Sequence, residues 1–190
     1  MTEVESAGFW IRAAALIIDT VVFVIAALCA AVVMAAAIAS IDSDSAADVF
    51  GTLHAHKWLM RLVSYLAIVT YHAISECVLG TTFGKRLLGL RVVTLRLGLP
   101  SFGQALVRSL GLFADSLFLG VVAASTMRSS PIRQRLGDEW ADTRVVKQRS
   151  LPEPPWPRKA VFLLVTLSAL AAAAEVFVIG LYVLFRWDAR

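Results

Sequence analysis

Charged residues recur at one spacing in two apolar segments of this chain. The segment IRAAALIIDT places Arg12 seven residues before Asp19, and the segment VRSLGLFADS places Arg108 seven residues before Asp115. Seven residues make about two helical turns, so the two side chains of a pair share a face but stand roughly 10 Å apart. We therefore expect each charge to find its partner on another element. Crossed pairing between the two segments would satisfy all four charges.

The sequence offers several partners for these charges, and three interpretations stay open: structural ion pairs, an ion or proton relay, and lipid or partner binding. The charges expected to form structural ion pairs are Arg12, Asp19, Arg108, Asp115 and Asp138. The partners considered for Asp19 are Arg108, Lys85, Arg86 and His72, and those considered for Arg12 are Asp115, Glu76 and Asp138. In the first interpretation the pairs dock a cytoplasmic segment onto membrane helices. In the second they form a cation or proton relay, because intramembrane charges commonly mark ion pathways.

Further titratable residues lie in apolar runs and define a candidate ion or proton site. His72 and Glu76 stand four residues apart on one helical face, and Glu175 is isolated in a long apolar run. His titrates near neutral pH, so a His–carboxylate pair could carry protons, and Asp19 and Glu175 could join it. The alternatives are hydrogen bonds within the protein for His72 and Glu76, and internal packing or partner contact for Glu175. Two residues do not make a metal site, and we find no catalytic set and no cofactor motif, so we expect no enzyme.

The apolar runs themselves predict a membrane protein. Hydrophobic residues make up 58% of the 190 positions, and the mean hydropathy is +0.74. A membrane span needs about 20 apolar residues. Runs of that length occupy 13–39, 59–79 and 160–186. The predicted fold class is therefore an all-α polytopic membrane protein with three transmembrane helices.

Loop charge orients these spans by the positive-inside rule. The segment 40–57 is acidic, whereas 80–108 carries basic residues and no acid, which predicts a cytoplasmic amino terminus. A fourth apolar stretch, 102–127, is interrupted by charges and glycines and is followed by a basic segment. We predict that it forms a re-entrant or interfacial helical hairpin, bent at Gly111 or Gly120, and full crossing is the alternative.

The remaining segments predict a ribbon and a linker. The β-branched runs at 90–97 and 143–148 alternate with a period near two, which favours a short two-stranded β-ribbon on the cytoplasmic side. The stretch LPEPPWPRK contains four prolines, which cannot continue a helix. We therefore place a linker at 149–159, before the final helix at 160–186.

Four ordered motifs resemble the RDD family of bacterial membrane proteins. They are FWIRAAALIIDT, GTTFGKRLLGLRVV, ALVRSLGLF and RLGDEWADTRVV, which cover about 9–146. The family's Arg and two Asp correspond here to Arg12, Asp19 and Asp138, although this chain has Gly137 where the family tends to have His and Asp142 where it tends to have Gly. The resemblance implies an RDD-like domain over 1–148 in the bacterial inner membrane. For some members it also implies exchange of sodium or related cations for protons.

Composition and spacing also suggest what the chain binds. Lys85, Arg86 and Arg91 are expected to contact lipid headgroups, and the net charge of +4 points to a membrane surface and not to nucleic acid. Alanines recur every four residues from Ala27 in the first span, a pattern that lets helices approach closely. We predict a non-catalytic accessory, assembly or scaffold subunit of a larger membrane complex, or a homo-oligomer. A cation/proton exchanger is the alternative.

Overall fold

Helices dominate the computed structural model, which describes residues 4–39, 57–116, 120–151 and 159–188. The helices are α1 (Phe9–Ala39), α2 (Lys57–Leu79), α3 (Phe83–Leu87), α4 (Phe102–Ser116), α5 (Val121–Ser129), α6 (Leu136–Trp140) and α7 (Lys159–Asp188). The strands are β1 (Leu90–Thr94) and β2 (Thr143–Lys147), and a 3-10 turn follows at Gln148–Ser150. The acidic segment 40–56 and most of the predicted linker, 152–158, lie outside the described residues.

Two helices are long and apolar enough to cross a membrane. They are the stretch Phe9–Cys29 of α1 and the stretch Arg61–Leu79 of α2, which correspond to the first two predicted spans. In α7 the apolar part among described side chains, Lys159–Ala174, is shorter than a span, so the third span stays a prediction. A helix of 21 residues rises about 32 Å, which matches a hydrocarbon core of about 30 Å.

The fourth apolar stretch, predicted as a helical hairpin, contains the two helices α4 and α5. Neither α4, with 15 residues, nor α5, with 9, reaches the length that a span needs. Gly120 precedes α5 with a φ of +85°, a left-handed conformation that glycine adopts without strain. Of the two predicted bend positions, Gly120 therefore lies at the interruption and Gly111 lies inside α4.

The predicted ribbon is confirmed as an antiparallel pair of strands. β1 and β2 run from Leu90 opposite Lys147 to Thr94 opposite Thr143. The predicted first strand was too long, because Leu97 adopts a positive φ and the amide of Thr94 bonds the carbonyl of Gly98 in a turn. The chain before α1 extends the sheet through a bridge between Ser6 and Val146.

Two apolar clusters hold these elements together. One joins the start of α1 to the ribbon through Ala7, Ala15, Leu90, Val92 and Val145, all of which are buried. The other packs α2 against α7 through Ala67, Tyr71, Ala169 and Ala173. Small residues of α7, Ala169 and Ala173, therefore pack against the second span. Since each Ala removes side-chain bulk from the contact, the two helix backbones can come close.

A candidate functional site built from buried charges

Asp138 lies at the centre of a buried group of charges that we call the charge network: Arg12, Glu76, Lys85, Arg108 and Asp138. The α6 helix positions it, since its Oδ2 accepts a hydrogen bond from the backbone amide of Arg135 at 3.2 Å, at the start of that helix. The Asp138 side chain has no exposed surface. A buried carboxylate without partners would be very costly, so its stability depends on the cations around it.

Two glycines bring Arg108 to Asp138. Gly111 on α4 and Gly137 on α6 face each other, and a Cβ built at Gly111 would lie 2.5 Å from the Cα of Gly137. A Cβ at Gly137 would lie 2.7 Å from the carbonyl oxygen of Arg108. Both distances are shorter than any real contact, so only glycine permits α4 and α6 to pack this closely.

Arg108 connects the two carboxylates of the charge network. Its Nη2 donates to Asp138 Oδ1 at 2.9 Å, its Nε lies 3.3 Å from the same oxygen, and its Nη1 donates to Glu76 Oε2 at 2.5 Å. Only 1% of its side chain is exposed. A planar guanidinium suits such a role because its fixed N–H groups can bind two carboxylates at once.

Arg12 completes the environment of Asp138 from α1. Its Nη2 donates to Asp138 Oδ2, and its Nη1 donates to the carbonyl oxygen of Arg133 at 3.0 Å. Burial alone would raise the pKa of Asp138, but the guanidinium groups of Arg12 and Arg108 outweigh it and hold that pKa far below its usual range. Asp138 is therefore ionised at neutral pH.

Glu76 on α2 is the second acid of the charge network. Besides Arg108, it binds Lys85, whose Nζ lies 2.9 Å from Glu76 Oε1. His72 Nδ1 lies 3.7 Å from the same oxygen. A cavity of about 20 Å³ adjoins Arg12, His72, Glu76 and Arg108, which is room for about one water molecule.

Asp19 is buried but is held by neutral donors. Its Oδ2 accepts from the Thr82 hydroxyl at 2.5 Å, and its Oδ1 accepts from the Gly84 amide at 2.7 Å and from the Tyr71 hydroxyl at 3.2 Å. Because α3 begins at Phe83, Asp19 binds the amino-terminal end of a neighbouring helix, where amide groups lack intrahelical partners. A Cβ at Gly84 would overlap the carbonyl oxygen of Ala15, so glycine is required where α3 meets α1.

The structure thus changes the expected pairing. Among the described residues, the ion pairs of Arg12 and Arg108 go to Asp138 and Glu76, and crossed pairing of Arg108 with Asp19 is not formed. The physical reason is that Asp19 already has three donors: the Tyr71 hydroxyl on α2, the Thr82 hydroxyl just before α3, and the Gly84 amide in α3. Asp115 and Glu175 lie in α4 and α7, but their side chains are outside the description, so their roles stay predictions.

The expected headgroup cations are mostly turned inward. Lys85 is 7% exposed against Glu76, and Arg91 is 5% exposed, with burial lowering the pKa of its guanidinium. Arg86 stacks its guanidinium over the ring of Phe162, 4.4 Å from the centroid. The prediction that Lys85 and Arg91 contact headgroups is therefore wrong for this arrangement, since both side chains lie inside the protein.

Sequence reasoning missed the residues that make the close approaches possible. Tyr71, Thr82 and Gly84 surround Asp19, and Gly111 and Gly137 set the distance between α4 and α6. The signal that could have found Thr82 is its position directly before the short helix α3, where Thr is a common N-cap residue. Among the described residues, no cluster of three or more His, Cys, Asp or Glu side chains could hold a metal ion.

These features define a helical membrane protein in which buried ion pairs connect the short helices to the two apolar helices α1 and α2. The chain belongs to the RDD family, whose family model matches residues 6–142. The match contains Arg12, Asp19 and Asp138 and ends before α7. Two of these three residues, Arg12 and Asp138, contact each other, whereas Asp19 binds α3. No curated protein and no solved structure matches the chain.

Proposed function

We propose that this chain is a non-catalytic accessory or assembly subunit of a larger complex in the bacterial inner membrane. The observation that carries the proposal is that the charge network is mutually satisfied. Glu76 binds Arg108 and Lys85, and Asp138 binds Arg12 and Arg108. Carboxylates held in this way stabilise a fold and are poorly placed to bind and release a cation.

An exposed face of α1 also supports an assembly role. Large apolar side chains at Ile17, Val21, Val24, Leu28 and Val32 are exposed along one side of the helix. Their spacing of three or four residues gives one continuous stripe. In a membrane such a stripe faces lipid or another helix, and in the proposed function a partner subunit covers it.

Native mass spectrometry after gentle extraction tests the proposal. The full-length chain, tagged and expressed at its natural level, is extracted with its surrounding lipid in a polymer nanodisc and weighed. We expect one species in which the chain is stoichiometric with a larger protein of different sequence. Replacing Leu28 by Phe on the α1 stripe should weaken this species, whereas Leu167→Phe, a similarly exposed position on α7, should not. A chain found only alone or with its own copies would contradict the proposal.

A cation/proton exchanger is the second candidate, and one observation favours it. His72 and Glu76 lie together beside the cavity of about 20 Å³, and His is the side chain that titrates near neutral pH. The purified chain in sealed vesicles would then take up sodium in response to a proton gradient. Loss of uptake in a monodisperse Glu76→Gln variant, with uptake kept in Glu139→Gln, an exposed acid, would establish exchange and contradict the accessory role.

A further inference from the structure

Four large apolar residues are exposed on a part of the protein that lies outside both spans. Leu95 and Leu99 belong to the turn after β1 and the segment that follows it, Phe102 begins α4, and Trp140 ends α6. They are 46%, 47%, 55% and 59% exposed, in that order. We call these four residues the apolar patch. Exposed apolar groups of this kind mark a surface that contacts a membrane or another protein.

Two hydrogen bonds hold the parts of the apolar patch together. The amide of Leu95 donates to the carbonyl oxygen of Asp142 at 3.1 Å, which joins the turn after β1 to the end of α6. The Gln104 side chain donates to the carbonyl oxygen of Ala141 at 2.9 Å, which joins the first turn of α4 to the same place. The patch is therefore one surface, built by the fold from three separate segments of the chain.

The contacts between α4 and α2 show where the patch lies along the second span. Arg108 binds Glu76, three residues before the end of α2, and the Tyr65 hydroxyl donates to the carbonyl oxygen of Leu110 at 2.6 Å. Since Tyr65 precedes Glu76, α4 runs back along α2 from the end of that helix. Phe102 comes six residues before Arg108, or about 9 Å along the axis, and Glu76 lies about 4.5 Å from the end of α2. Phe102 is therefore level with a point just past the end of the span.

The first span gives the same level for the patch. Arg12, in the first turn of α1, binds Asp138 in α6, so Trp140 lies close to the start of α1. Trp10 lies at this end of α1 as well and is 83% exposed. Tryptophan is enriched where a membrane helix passes from the hydrocarbon into the headgroups. Both spans thus place the apolar patch at the level of the headgroups of one leaflet.

Charged residues beside the patch favour the same position. Arg96 is exposed next to Leu95, and Glu139 and Asp142 are exposed beside Trp140. Charges within the hydrocarbon are costly, whereas at the headgroups they stay hydrated and an Arg can also extend to a phosphate. An apolar surface that is bordered by charges suits the boundary between headgroups and acyl chains.

We propose that the apolar patch inserts into one leaflet of the bilayer, at the boundary between headgroups and acyl chains. Its partner is the lipid surface, and because the contacts are apolar, a zwitterionic lipid is sufficient. The outer face of α4 continues the patch toward the hydrocarbon through Val107 and Leu110, which are 39% and 44% exposed. The inserted patch holds the turn after β1 and the start of α4 at the membrane surface.

Spin labels on the full chain measure this insertion. Cys29 and Cys77 are replaced by Ser, and a nitroxide is attached after Leu99→Cys or Trp140→Cys. The control is Arg149→Cys, because the Arg149 side chain is 75% exposed and pairs with Glu5, which precedes α1. The proteins are placed in phosphatidylcholine nanodiscs that contain no other membrane protein. Collisions of each label with oxygen, which is concentrated in lipid, are compared with collisions with a nickel chelate that stays in water.

The two patch labels and the control should give opposite results. We expect oxygen to exceed the nickel chelate at both patch positions, and the nickel chelate to exceed oxygen at the control position. Patch labels that are as accessible to the nickel chelate as the control would overturn the proposal.

Radical footprinting of the unmodified chain gives an answer even where a labelled variant fails to fold. Hydroxyl radicals oxidise side chains that water reaches, and mass spectrometry of the peptides measures the oxidation of each residue. In the same nanodiscs we expect Trp140 and Phe102 to be protected, although both are more than half exposed on the protein surface. Protection of these residues in native membranes but not in the nanodiscs would identify a protein partner and overturn the proposal.

Discussion

Asp138→Asn is the substitution that tests the charge network most directly. Asn keeps the size of the side chain and removes its charge, while Arg12 and Arg108 stay buried in their positions. In the folded protein the carboxylate accepts hydrogen bonds from both guanidinium groups and from the amide of Arg135. An Asn carbonyl oxygen could replace only part of this set. Its amide group would place further N–H donors against cations.

The size of the effect follows from the burial of the partners. Removing one member of a buried ion pair typically costs about 3–5 kcal/mol, because it leaves an uncompensated charge inside the protein. Here two guanidinium groups lose their shared anion, although Arg108 keeps Glu76. We therefore expect the loss in the free energy of unfolding to lie within that range. A loss of this size lowers the ratio of folded to unfolded protein by a factor of about 10² to 10⁴.

Unfolding in neutral detergent micelles, followed by tryptophan fluorescence, measures this loss. The matched control is Asp142→Asn, the same substitution at an exposed position four residues away. Asp142 has a φ of +52°, a conformation that Asn tolerates well, so the control should change stability by no more than about 0.5 kcal/mol. Equal stability of the two variants would refute the structural role that we assign to the charge network.

The pH dependence of the same transition gives a second readout. The pKa of Asp138 in the folded protein is depressed, so its contribution is complete above the ordinary value of 3.8 and is lost as the pH falls from there through the folded-state pKa. Asp138 should therefore contribute fully to the melting temperature between about pH 8 and pH 5. This contribution should be lost below about pH 4. In Asp138→Asn this acidic component should be absent. An unchanged acid profile in the variant would show that other groups cause the loss.

Two further substitutions test the close approaches. Gly111→Ala should separate α4 from α6 and destabilise the protein by at least about 2 kcal/mol, because the new Cβ would meet Gly137 at 2.5 Å. The control is Gly103→Ala in the same helix: its Cβ would point into open space, so this variant should be neutral or mildly stabilising. Thermal unfolding of the two variants measures the difference, and equal melting temperatures would contradict the close packing of α4 on α6. Thr82→Val should cost about 1.5–3 kcal/mol by removing a hydrogen bond to the buried Asp19 carboxylate, and Thr82→Ser should restore most of it. Equal stability of the Val and Ser variants would show that the hydroxyl contributes nothing.

The sequence predicted the elements better than the contacts between them. Apolar runs of span length and β-branched alternation depend on local patterns, so the first two spans and the ribbon were found. Gly120, where α4 and α5 are interrupted, was one of the two predicted bend positions, because a glycine is also a local signal in the sequence. The third span lies partly outside the described side chains, so that prediction was not tested.

The pairing of the charges could not be predicted, because it depends on distances between elements. The spacing of Arg12 and Asp19 showed that the two do not bind each other, and Asp138 was one of three partners considered for Arg12. Nothing in the local sequence shows that α3 presents the Gly84 amide to Asp19, while Arg108 pairs with Glu76 and Asp138. The pairing of Arg108 depends on close glycine contacts between helices, and such contacts leave no periodic pattern in the sequence.

The Arg12–Asp138 pair can form only late in the synthesis of the chain. The two residues are 126 positions apart, so at about 5–20 residues per second the ribosome adds Asp138 roughly 6–25 s after Arg12. Over that interval α1 and α2 can enter the bilayer while Arg12 and then Arg108 still lack their common anion. The α6 helix is synthesised after α1, α2 and α4, and it carries the carboxylate that pairs with both guanidinium groups. A helix of five residues thus supplies the anion for two guanidinium groups that are synthesised before it.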